Sequence, residues 1–191
     1  MELLAIFIAA ILINNFVLHY FLGICPFLGV SKKLDSALSM GLAVTFVMSI
    51  TAVFSWMINH WILIPYGLDY LQIVSFVLVI AALVQLVEMF IRKISPPLYQ
   101  ALGIYLPLIT TNCSIMGLAL LAALKNYNFI EAVIFGLGSG LGFTLAIILM
   151  AGIREQLDLA DIPQPLKGAG IALIVAGIMA LGFLGFSGMI K

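Results

Sequence analysis

Charge is what this sequence has least of. Of its 191 residues only eight are Lys or Arg and eight are Asp or Glu, a charged share of 8% beside a hydrophobic share of 64%. Soluble domains carry about 25% charged and roughly 45 to 50% apolar residues, so an ordinary water-soluble globule is excluded. The formal net charge is zero, which leaves no electrostatic footing for nucleic acid. With only two cysteines, Cys25 and Cys113, both in apolar surroundings, the loop-borne framework of a secreted disulfide scaffold is absent. The opening Met-Glu-Leu-Leu-Ala-Ile-Phe has no basic stretch and is followed by no small-residue cleavage site, so the first segment is expected to be retained.

What remains is hydrocarbon. A spanning helix needs roughly 20 mostly apolar residues, and the few charges cut the chain into six such stretches. They fall at about 3 to 22, 36 to 57, 70 to 91, 98 to 123, 128 to 152 and 167 to 188. The expectation is an all-α integral membrane protein, one domain over residues 1–191. Lys32, Lys33, Arg92, Lys93, Arg154 and Lys167 follow the odd spans, against Lys125 and Lys191 on the other side. That bias puts the odd connections in the cytoplasm and both termini outside. Trp56, Trp61, Tyr66 and Tyr70 fit an aromatic belt at the outer surface.

The chain also overlays on itself. Ala37-Leu38-Ser39-Met40-Gly41 falls over Ala132-Val133-Ile134-Phe135-Gly136, and Ser75 to Ala81 over Gly170 to Ala176, both at an offset of 95. Two repeats follow, about 1–93 and about 96–191. Three spans each make the second copy upside down relative to the first. Equivalent ligands in such halves share one centre only near the midplane, so a joint site is expected in mid-bilayer. For Cys25 to reach that depth, Pro26 to Ser31 must cover roughly half of a ~30 Å core, more than a helix rising ~1.5 Å per residue allows. This segment is therefore expected to be partly unwound, with Pro26, Gly23 and Gly29 permitting the break.

Each cysteine lies beside helix breakers, in Gly23-Ile24-Cys25-Pro26 and in Pro107-Leu108-Ile109-Thr110-Thr111-Asn112-Cys113. Thiolates ligate soft metal centres, and unwound backbone at membrane depth is tolerated only where protein or a cavity covers it. The plainer reading is packing, since free cysteine behaves as a small hydrophobe. An iron-sulfur centre takes four ligands, so another chain would supply the missing pair. His19 is a conceivable third ligand or an interfacial side chain. Thr110, Thr111, Asn112 and Ser114 offer donors to cluster sulfurs, or satisfy carbonyls freed by Pro107. Each break also offers a helix amino terminus favourable to an anion. Glu88 either carries a coupling ion or pairs with Arg92 one turn on. Asn14, Asn15 and Gln85 are expected to bond between helices. Gly136, Gly138, Gly140 and Gly142 lack the preceding strand of a dinucleotide loop and instead suit close helix packing.

Asn14-Asn15-Phe16-Val17-Leu18, Phe21 to Lys33, Pro97-Leu98-Tyr99, Leu106 to Cys113, Gly152-Ile153-Arg154-Glu155 and the closing Gly182-Phe183 to Gly188 together resemble the A-type subunits of the Rnf electron-transport complex. The resemblance covers essentially the whole chain. The E-type subunits of the sodium-translocating NADH:quinone oxidoreductase share most of the pattern, but Pro26 and the Thr-Thr-Asn-Cys form look more like the Rnf member. The resemblance implies a bacterial cytoplasmic-membrane complex passing electrons between ferredoxin and NAD while moving sodium ions or protons. It further implies pairing with a homologous E-type Rnf subunit of opposite topology, each of the two giving two cysteines to one [2Fe-2S] cluster. Cys25 and Cys113 would be the ligands, with Thr110 to Asn112 around them, and substrate catalysis would belong to other subunits. A secondary transporter without iron is the rival of another class, and a scaffold with inert thiols the third.

Overall fold

The computed structural model describes residues 2–94, 106–161, 163 and 166–186, and every regular element among them is helical. Lipid offers the backbone no hydrogen-bonding partner, so a chain this apolar satisfies its amides within helices. Helix α1, Glu2–Ile8, widens into a π-helical turn, Ala9–Ile13, and stops at Asn14. An irregular stretch over residues 14–23 leads to α2, Ile24–Val30. Helix α3, Leu34–Ile58, runs on through the π-helical Asn59–Leu63 to Tyr66, where Gly67 at φ 62° ends it. Then come α4, Gln72–Ile94, the short α5, Leu106–Thr110, and α6, Cys113–Leu124. Helix α7, Phe129–Asp158, starts on a capping box of Asn128 and Glu131, and α8 is Ala169–Leu184.

Among the described residues four stretches are long and apolar enough to cross a membrane: Leu34–Tyr66, Gln72–Met89, Pro107–Leu124 and Phe129–Asp158. Leu3–Ile13 and Ala169–Leu184 are shorter apolar helices. The first expected span, 3 to 22, is thus helical only to Ile13. The beginning of the fourth, 98 to 105, lies outside the described residues.

The core is an antiparallel crossing of α3 and α7. At its centre Gly140 meets Thr45, where an added Cβ would lie 2.7 Å from the Thr45 Cα. One turn away on either side Gly41 meets Thr144, and Gly136 meets Met48, Ser49 and Ala52. The Thr45 and Thr144 hydroxyls face each other at 2.9 Å. Two more glycines of α7, Gly138 and Gly142, lie against Phe7, Ala10 and Ile11 of the segment Glu2–Ile13. Close packing is therefore what the glycine series does, on two faces of one helix. Phe16, Met40, Met48, Ile115, Leu118, Phe143, Ile147 and Met150 fill the space around the crossing. Apolar side chains of α4 and α8, such as Val74, Leu78, Ile178 and Leu181, point outward, as lipid-facing surfaces do.

One expectation needs correction. Pro26 to Ser31 is not unwound: Ile24–Val30 is helical, and the irregular backbone lies before Cys25, in residues 14–23. Pro26 sits in the first helical turn, where the missing N–H has no intrahelical role, so proline starts this helix instead of breaking it.

Candidate metal centre

Two irregular segments build the site. In the first, Asn15 replaces the hydrogen bonds that the end of α1 gives up. Its Oδ1 accepts from the amides of Val17 and Leu18 at 3.0 and 3.3 Å, and its Nδ2 donates to the Ile11 and Gly142 carbonyls at 3.1 and 2.7 Å. The expected interhelical role of Asn15 is borne out. The Leu22 amide then bonds back to the Phe16 carbonyl at 2.8 Å. Phe21 and Gly23 both take left-handed backbone, φ 55° and 81°.

In the second segment α5 ends at Thr110, and Asn112 starts α6 by accepting the Ser114 amide on its Oδ1 at 3.0 Å. Thr111 donates its hydroxyl to the Pro107 carbonyl at 3.0 Å, the same carbonyl that accepts its backbone amide at 3.1 Å. Asn112 and Ser114 are buried, yet Asn112 Nδ2 and Ser114 Oγ have no hydrogen-bond partner.

The two segments interlock at Gly23. Its N–H donates to Cys113 Sγ at 2.8 Å. A Cβ on Gly23 would strike Ser114 Oγ and come within 3.1 Å of Asn112 Oδ1 and 3.0 Å of Phe143. Leu22, next to it, lies over Gly117 of α6. Glycine is required here twice, for the left-handed turn and for the close approach. Cys25 follows two residues later, no more than about 7 Å along the chain at ~3.6 Å per residue. The two cysteine motifs therefore share one locus, with Cys25 in the first turn of α2 and Cys113 opening α6. Both thiols are free and exposed on the surface of the chain.

Thr110 is half-buried and Thr111 exposed. Glu88 is half-buried on α4, whereas Gln85 is exposed there. His19 is exposed and meets the Tyr20 ring edge-on at 4.8 Å. Asn14 is half-buried where α1 stops. Among the described residues no group of three or more His, Cys, Asp or Glu side chains could hold a metal ion. A separate cavity of about 230 Å³ lies between α3 and α6, lined by Ser55, Trp56, Asn59, His60, Asn126 and Asn128 among others, and it does not include the cysteines.

A clamp missed by sequence reasoning secures the far end of α2. Arg154 donates one guanidinium nitrogen to the Leu28 carbonyl at 2.7 Å and to Ser31 Oγ at 3.0 Å, while Glu155 Oε1 accepts the Leu34 amide at 3.2 Å. In the sequence, Arg154 and Glu155 stand out only through charge bias and resemblance. Nothing local marks them as partners of residues more than 120 positions away.

The fold and the interlocked cysteine segments define a helical protein made to cross a membrane, with both cysteine motifs meeting at Gly23. Residues 3–190 match the family model described as "Rnf-Nqr subunit, membrane protein". The chain belongs to this family and is a multi-pass membrane protein. It is 59% identical over 189 residues to the A component of the Na(+)-translocating ferredoxin:NAD(+) oxidoreductase complex of Acetobacterium woodii, covering 99% of this chain and 98% of the relative. It is 55% identical over 189 residues to the A component of the ion-translocating oxidoreductase complex of Syntrophotalea carbinolica, with 99% and 98% covered. Against the protein of the same description from Erwinia tasmaniensis it is 53% identical over 190 residues, with 100% and 98% covered.

Proposed function

We propose that this chain is the A-type subunit of an ion-translocating ferredoxin:NAD+ oxidoreductase complex and supplies Cys25 and Cys113 to a [2Fe-2S] cluster. The near full-length relatives carry an ion-translocating oxidoreductase complex in their names, which supports membership of such an assembly. The observation that carries the ligand assignment is the Gly23 to Cys113 hydrogen bond, which draws both cysteine motifs to one place. The donor set fits the group. Two free, exposed thiols lie beside a glycine cradle and two buried polar atoms without partners, Asn112 Nδ2 and Ser114 Oγ.

The sequence holds no third cysteine, so two further thiolates would come from a homologous E-type subunit facing the other way in the membrane. When bound, the cluster supplies a one-electron relay within the hydrocarbon layer. This chain's own contribution is to hold one thiol on α2 and one on α6 and to aim the Gly23 N–H at the Cys113 sulfur. Residues Thr110 to Asn112 shape that rim, and Glu88 is kept as a candidate coupling-ion carboxylate on α4.

The same reading includes six spans as two inverted repeats in the bacterial cytoplasmic membrane, with both termini outside. Support comes from the central crossing. Gly41, Thr45 and Ser49 on α3 stand 95 residues before Gly136, Gly140 and Thr144 on α7, the offset of the sequence overlay. The contact of Gly41 with Thr144 is matched by that of Ser49 with Gly136, and Thr45 meets Gly140 between them. The bond from the Ser49 hydroxyl to the Thr45 carbonyl, 2.7 Å, has its counterpart from Thr144 to Gly140, 2.9 Å. Such reciprocity is what a twofold axis through the crossing produces.

The test is electron paramagnetic resonance on the purified complex. Cys25→Ser and Cys113→Ser are each expected to abolish one [2Fe-2S] signal while the complex still assembles; an unchanged set of signals refutes the ligand assignment.

A further inference from the structure

We infer that the backbone amide of Gly23 is a potential-setting hydrogen-bond donor to the Cys113 sulfur, aimed by the left-handed backbone of the Phe21–Gly23 loop. The inference rests on the cluster reading above and adds a positioning residue to it. Three observations carry it. The amide lies 2.8 Å from Cys113 Sγ, short for a donor to sulfur. Its direction is fixed by two left-handed residues, Phe21 at φ 55° and Gly23 at φ 81°, and positive φ at a bulky residue such as Phe21 is a true conformational outlier. The loop is also pinned from both ends. The Leu22 amide bonds to the Phe16 carbonyl at 2.8 Å, and the Gly23 carbonyl accepts the first helical bond of α2 from Phe27 at 3.2 Å.

Space is as restricted as direction. The side that a Gly23 Cβ would occupy is filled by Ser114, Asn112 and Phe143, so the glycine cannot move toward that wall without unpacking it. A donor held this rigidly does more than satisfy backbone. One added electron makes the cluster and its sulfurs more negative, and an N–H pointed at a ligand sulfur stabilises that reduced form most. The Gly23 amide therefore raises the midpoint potential of the centre. Because Gly23 leads directly into Ile24 and Cys25, one short loop sets both the position of one ligand and the potential felt through the other.

The test uses the whole complex. Ser114→Ala serves as the reference, and Ser114→Ala with Gly23→Ala as the variant, since removing the hydroxyl relieves the collision that the new methyl would cause. Redox titration followed by electron paramagnetic resonance is expected to give a lower midpoint potential in the double variant than in the reference, because alanine resists the left-handed φ of 81° at this position and its relaxation turns the amide off the sulfur. An equal midpoint overturns the inference. Should the double variant fail to load iron, wild-type complex labelled with 15N-glycine decides the matter by pulsed resonance: a glycine nitrogen coupled to the reduced cluster supports the inference, and no coupling overturns it. Failure of the cluster reading is distinct, because then the wild-type complex shows no [2Fe-2S] signal that depends on Cys25 and Cys113.

Discussion

Asn15 reaches from the frayed end of α1 to the middle of α7, its Nδ2 donating to the Gly142 carbonyl at 2.7 Å. Gly142 allows the approach, since a Cβ there would lie 3.1 Å from that same nitrogen. The side chain also accepts from Val17 and Leu18, so one fully buried amide holds open the loop that presents Gly23. Asn15→Ala would leave several of these groups unpaired away from water, at about 1–3 kcal/mol. Denaturant unfolding of the purified complex should show that loss, while Asn14→Ala, at a half-buried position, should not.

The glycines of α7 predict a sharp contrast. Gly140→Val puts carbon against the Thr45 backbone, where an added Cβ already lies at 2.7 Å, and overpacking of this kind costs about 1–3 kcal/mol. Gly152→Ala on the same helix meets nothing within 4 Å and should be neutral or stabilising, by up to about 1 kcal/mol of helix propensity. Thermal melting of the two variants in one detergent compares them directly.

Arg154 secures the carboxyl end of α2 through Leu28 and Ser31. Arg154→Gln should loosen this helix by about 1–3 kcal/mol, the range for hydrogen bonds to a charged donor. Hydrogen exchange of the α2 amides should quicken, and those of α6 should stay protected. Equal protection in wild type and variant would show that the clamp holds nothing.

Much of this was readable from residues alone. Apolar runs marked the long helices because lipid forces backbone bonding into them, and Gly23 marked a break because its backbone chemistry is local; Pro107 instead sits inside α5, and the break falls after Thr110. The glycine series of α7 was legible for the same reason. What escaped was long-range: the Gly23 amide on Cys113, the Arg154 clamp on Leu28, and the side of Cys25 on which the chain unwinds. Pro26 misled because proline either breaks a helix or begins one, and only the preceding left-handed glycine decides which.

Iron stoichiometry tests the shared centre most directly. This chain should be purified alone, and then together with its opposite-facing two-cysteine homologue, with iron measured in each. The pair should hold two iron atoms with a [2Fe-2S] signal and this chain alone none, because Cys25 and Cys113 are only half a ligand set. Stoichiometric iron on the isolated chain, or a pair without iron, would contradict a cluster divided between two subunits.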